Sequence, residues 1–128
     1  MPTEPFPDNV LRGLDCFNRE AFFEAHELLE SVWRDADASV KPLYQGLIQL
    51  AAACHHLQHK NLKGADSLLS KSLGWLSPYQ NTDTGLDLAA LLGEMNQLKA
   101  TVERLRQHSS SSYEMPAFPR INFLQDPD

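Results

Sequence analysis

FNREAFFEAHELLESVW, residues 17–33, decides the fold. From Arg19 to about residue 35 the chain has no Gly or Pro. Its apolar residues Phe22, Ala25, Leu28, Leu29, Val32 and Trp33 recur at helical spacing, so the stretch is predicted to be a long amphipathic helix. On a helix turning about 100° per residue, His26 falls between Phe22, Leu29 and Trp33, in the middle of the apolar face. Glu30 stands one turn on. Glu24 and Glu27 swing toward the side shared with Arg34, where Glu27 and Glu30 can meet at i, i+3. The expectation is an inward pair, His26 and Glu30, and a flank, Glu24 and Glu27, at a pocket rim or on the surface.

The rest of the chain arranges itself around this helix. Upstream, Pro2, Pro5 and Pro7 make residues 1–8 an extended lead-in. Asp8 or Asn9 can then cap a short helix through Val10, Leu11, Leu14 and Phe17, with Asn18 as its break. Downstream, a loop at 35–39 leads to Pro42 in a helical first turn. LYQGLIQLAAACHHLQH, residues 43–59, carries no Asp, Glu, Lys or Arg. A helix without formal charge over that length is expected at the centre of a bundle. Asn61 interrupts it. Leu62, Ala65, Leu68, Leu69, Leu73 and Leu76 form the stripe of the next helix, which Ser77 and Pro78 stop. After a polar loop, a last long helix runs to about His108, its seam set by Leu88, Leu91, Met95, Leu98, Val102 and Leu105. Ser109 to Ser112 read as a hinge, and the apolar tail PAFPRINFLQ, from Pro116, is expected to lie extended across the bundle.

The predicted fold class is therefore all-α: a compact bundle of four to five helices over residues 9–108, with a Ser-rich hinge and packing tail at 109–128. Placing Ala25 on Ala65 also brings Phe22 onto Leu62, Leu29 onto Leu69 and Trp33 onto Leu73. The two helical hairpins then read as related, in tetratricopeptide-like fashion. The competing explanation is that any two amphipathic helices can be slid into such agreement.

Composition narrows the function. The chain has 128 residues, 42% of them hydrophobic, enough for one domain with one core. A formal charge of -6 disfavours nucleic acid and anionic membrane surfaces as partners. No apolar run is long enough to span a bilayer, and the N-terminus lacks a secretory pattern, so a cytoplasmic protein is expected. Cys16 and Cys54 are isolated thiols without metal or disulfide spacing. Trp33 and Trp75 are expected in the core. The stripe from Leu88 to Leu105 and the tail are the surfaces a homodimer would use.

Chemistry has to come from polar groups on buried faces. Gln45, Gln49 and His56 share one stripe of the central helix, with Ala52 leaving room for a neighbour. His55 and His59 form a second line at i, i+4, the spacing at which two imidazoles share a metal. If the glutamine stripe faces His26 and Glu30, the bundle holds a polar pocket of Glu24, His26, Glu27, Glu30, Trp33, Gln45, Gln49 and His56. Three uses compete: a satisfied hydrogen-bond network, a pocket for a small polar ligand or peptide segment, and a divalent metal site. The last would be a metal-dependent hydrolase with His26, Glu30 and His56 as ligands and Glu27 as the candidate catalytic base. HExxE lacks the final histidine of the zinc-protease motif.

EAHExxExxW at 24–33 and QGLIQxAxxxxH at 45–56, with a late PRI at 119–121, together resemble the bacterial and archaeal family known as domain of unknown function 309. The resemblance covers about residues 17–76 and the PRI. It implies an all-helical compact domain with Glu24, His26, Glu27, Glu30 and Trp33, then Gln45, Gly46, Gln49, His56 and Gly64, as signature positions. It implies no activity, since none is established for the family. The segment at 81–112 departs from the family's simplest pattern.

Overall fold

Five α-helices follow one another in the computed structural model, which describes residues 6–108 and 113–124. They are α1 (Asp8–Asn18), α2 (Phe22–Trp33), α3 (Lys41–Gln58), α4 (Leu62–Leu76) and α5 (Leu88–Gln107). A single 3₁₀ turn, Ser77–Tyr79, follows α4. No strand occurs among the described residues, apart from an isolated bridge between Leu86 and Phe123. None of the described helices is long and apolar enough to cross a membrane. The Ser109 to Ser112 hinge, most of the lead-in and the last four residues lie outside the described residues.

The repeat read from the sequence has a counterpart in the backbone. α1 and α3 both end in a left-handed residue, Glu20 at φ 67° and Lys60 at φ 63°. The Glu20 N–H donates to the Phe17 carbonyl at 2.9 Å and the Ala21 N–H to that of Cys16 at 2.9 Å. Forty positions on, the Lys60 N–H donates to Leu57 at 3.0 Å and the Asn61 N–H to His56 at 2.8 Å. Both turns are thus Schellman caps, which satisfy the last free carbonyls of a helix. Ala25 and Ala65, and likewise Leu29 and Leu69, are fully buried. Two hairpins, α1–α2 and α3–α4, thus share a cap geometry and a buried Ala and Leu at an offset of forty positions, and α5 follows them.

α3 lies between α2 and α4, and ten of its residues are buried, as its lack of charge led one to expect. Pro42 sits in its first turn. It meets α4 closely at Gly46: a Cβ there would lie 2.5 Å from Leu76 Cδ2. The buried Ser72 hydroxyl donates to the Gly46 carbonyl at 2.7 Å, so the contact is polar as well as steric. Leu88, Leu91, Met95, Leu98 and Val102 of α5 are buried in the chain's own core. The tail crosses the bundle through Asn18, whose Nδ2 donates to the Ile121 carbonyl at 2.8 Å and whose Oδ1 accepts from the Ile121 N–H at 2.9 Å.

Three local expectations are corrected. Neither Asp8 nor Asn9 caps α1; Pro7 takes the cap position, and its carbonyl accepts from Val10 and Leu11. α2 begins at Phe22 rather than Arg19, because the left-handed turn at Glu20 must be completed first. Trp75 is 42% exposed rather than in the core, since α4 turns Ser72 and Leu76 inward and leaves Trp75 beside them at the surface.

Candidate functional site

The face between α2 and α3 carries most of the polar residues singled out in the sequence. The two helices run antiparallel. At one end the Lys41 ammonium lies over the Trp33 ring, 4.7 Å from its centroid, and donates to the Arg34 carbonyl at 3.2 Å. At the other, the Phe23 ring packs 5.9 Å from His55. Gln45 and Gln49 occupy the α3 stripe between these ends.

His26 does not stand in the middle of the buried face. That face is centred on Phe22, Ala25 and Leu29, and His26 sits at its edge with its side chain 30% exposed. Glu30 is half-buried, whereas Glu24 and Glu27 are exposed. A metal-binding atom from each of His26, Glu27 and Glu30 can be chosen so that all three lie within 4.8 Å of one another. The nearest approach between His26 Nδ1 and Glu27 Oε2 is 3.8 Å, too long for a hydrogen bond. Among the described residues, neither Glu27 nor Glu30 pairs with a lysine or arginine. The cluster is one imidazole and two carboxylates with their hydrogen-bonding capacity largely unused.

Beside it lies a hollow of about 200 Å³ lined by Phe23, His26, Ala52, His55 and His56. His26 and His56 therefore share a cavity, although His56 is not one of the three clustered ligating groups. Asn61 fixes the state of His56. Its Oδ1 accepts the Gly64 N–H at 3.0 Å, so its Nδ2 is the atom 2.9 Å from His56 Nδ1. That nitrogen must accept, and the neutral ring then carries its hydrogen on Nε2. Gln49 is half-buried, and its Oε1 is shielded from solvent without a partner among the described residues. Burial, and then the neighbouring imidazoles of His59, His56 and His26, hold the His55 pKa below its usual value; Glu24 opposes them.

Phe23 and His55 were not among the pocket residues expected from the sequence. The signal for Phe23 was its doublet with Phe22, because adjacent residues on one helix cannot both face the core. A larger hollow of about 560 Å³, lined in part by Phe6, Leu11, Tyr44, Tyr79 and Phe123, contains none of the expected site residues.

The equivalent corner of the second hairpin gives a contrast. Forty positions after His26 stands Asp66, whose carboxylate takes the Lys99 ammonium at 3.1 Å and the Arg106 guanidinium, both from α5. There an acid is consumed by the fold, whereas Glu27 and Glu30 at the corner of the first hairpin have no lysine or arginine partner among the described residues.

Known relatives are consistent with a family without assigned chemistry. An uncharacterised protein of Bacillus subtilis, YpuF, is 34% identical over 92 residues, covering 70% of this chain and 53% of that protein. An uncharacterised protein of Aquifex aeolicus is 26% identical over 89 residues, 69% of this chain and 27% of that protein. The chain thus spans about half the length of the first and about a quarter of the second. No solved structure matches it significantly. Residues 10–68, from α1 into α4, match the family described as domain of unknown function (DUF309), the family that its EAHExxExxW and QGLIQ motifs resemble.

Proposed function

We propose that the protein is a cytoplasmic binding domain whose α2–α3 face takes a small polar ligand or a peptide segment bearing a cationic group. One observation carries this reading: Glu27 and Glu30 converge with His26 and have no lysine or arginine partner among the described residues. Carboxylates bind guanidinium and ammonium groups through charge-assisted hydrogen bonds. The hollow beside them, walled by Phe23 and Ala52, would accept an apolar neighbour of that cation. Gln45, Gln49, Trp33 and Glu24 flank the same face.

The experiment is a titration of the ¹⁵N-labelled chain with acetyl-Phe-Arg-amide, with glutarate as an anionic counterpart. Saturable shifts in α2 and α3 with the peptide, absent with glutarate and weakened in Glu30→Gln, support the reading. Its failure is an absence of saturable shifts or shifts elsewhere.

The proximity of His26, Glu27 and Glu30 favours a second reading, in which a divalent metal fills the cluster for hydrolytic chemistry. Metal analysis of protein purified without an affinity tag, compared with His26→Ala, tests it: stoichiometric metal lost on substitution supports a metal site, and a metal-free wild type removes it.

A further inference from the structure

The last turn of α3 and its cap residue hold a second group of ligating atoms outside that cluster. His55 and His59 are one helical turn apart, with ring centroids 4.4 Å from each other. At this spacing two imidazoles can direct a nitrogen each at one ion.

Hydrogen bonds sort the three neighbouring histidines by the nitrogen they leave available. His59 Nδ1 lies 2.9 Å from the His55 carbonyl oxygen. A carbonyl only accepts, so Nδ1 carries the hydrogen and Nε2 of the neutral ring presents its lone pair. Metal-ligating histidines characteristically have the second nitrogen held by such a partner, which fixes the tautomer and the ring. His56 is held the opposite way: Asn61 donates to its Nδ1, leaving an N–H at Nε2. It is a donor to the hollow, not a ligand in that state. His55 has no hydrogen-bond partner for either ring nitrogen among the described residues, and the Phe23 ring bounds it on one side.

The pair stands at the C-terminal end of the 18-residue helix α3, with His59 as its cap residue, where the negative end of the macrodipole favours a cation. Glu24 acts on His55 in the same sense, whereas burial and the imidazoles of His59, His56 and His26 act against positive charge there, so an ion would be held by the lone pairs of the neutral rings.

We propose that His55 and His59 form a two-imidazole seat for a divalent transition-metal ion of the zinc, nickel or copper class, with water completing the coordination shell. Imidazole suits these ions, whereas magnesium and calcium prefer oxygen. The site is independent of the ligand reading given to His26, Glu27 and Glu30.

Calorimetric titration of the tag-free full chain with zinc chloride tests it, with magnesium chloride as the comparison ion. One zinc per chain is expected, with no magnesium heat. His55→Ala and His59→Ala should each weaken zinc binding by at least about tenfold, the smallest loss usual even for an outer-shell partner. Glu30→Gln should leave it unchanged. His59 is exposed and His55 half-buried, so the variants should keep their circular dichroism. No zinc binding by the wild type overturns the proposal. So does binding that survives His59→Ala, or that is lost in Glu30→Gln, which would move the ion to the acidic cluster.

Discussion

Glu20 and Lys60, forty positions apart, hold the same left-handed backbone at the same place in two helical hairpins. Neither is glycine or asparagine, the residues that adopt this conformation at least cost. Glu20→Gly should therefore stabilise the chain, by up to about 1 kcal/mol. Urea unfolding followed by circular dichroism would read this as a higher midpoint at an unchanged slope. A lower midpoint would mean that the Glu20 side chain contributes more than its backbone costs.

Gly46 fixes how closely α3 and α4 approach. An alanine there would place its Cβ 2.5 Å from Leu76 Cδ2 and 2.6 Å from Leu76 Cγ, so the helices must separate or Leu76 must move. Overpacking of this kind costs about 1–3 kcal/mol. The expected loss for Gly46→Ala is measurable by the same unfolding curve, even though alanine is the better helix former.

Asn18 ends α1 and also clasps the tail, with both amide groups committed to the backbone of Ile121. Asn18→Ala leaves the Ile121 N–H and carbonyl without those partners. A loss of about 1–3 kcal/mol is expected. Limited proteolysis should then cut between Gln107 and Arg120 sooner than in the wild type, while the helices stay protected.

Asp66 gives the fold a dependence on acid. Burial pushes its pKa up, but hydrogen bonds from Lys99 and Arg106 and the charges of both outweigh burial, and the net shift is downward. A carboxylate with a depressed folded pKa contributes stability that is present above its unfolded value of about 3.9 and is lost as pH falls through the folded value. Between pH 5 and pH 2 the wild type should lose more stability than Asp66→Asn. Parallel curves for the two proteins would show that this carboxylate does not carry the effect.

The sequence shows its helices more plainly than its site, for physical reasons visible at particular residues. Periodicity alone locates α3 and α4, and Asn61 is legible as their break because its side chain is a good helix cap; it accepts the Gly64 N–H. The turn at Glu20 was not legible, since a glutamate carries no sign of a left-handed backbone. A helical wheel places His26 correctly beside Phe22 and Leu29. It cannot say that the buried face is centred on Ala25, and therefore that His26 lies at the edge. The hydrogen bond from Asn61 that sets the His56 tautomer crosses the hairpin turn, whose left-handed backbone at Lys60 no residue type in the sequence signals.

The central claim is that Glu27 and Glu30 are left unspent by the fold, unlike Asp66 at the equivalent corner. The direct measurement is the unfolding free energy of the double variant Glu27→Gln/Glu30→Gln at pH 7. Removing two neighbouring charges of like sign that stabilise nothing should leave the protein as stable as the wild type, or more stable by a few tenths of a kcal/mol. A loss of about 2 kcal/mol or more would mean that the carboxylates belong to a satisfied structural network, and it would contradict the account.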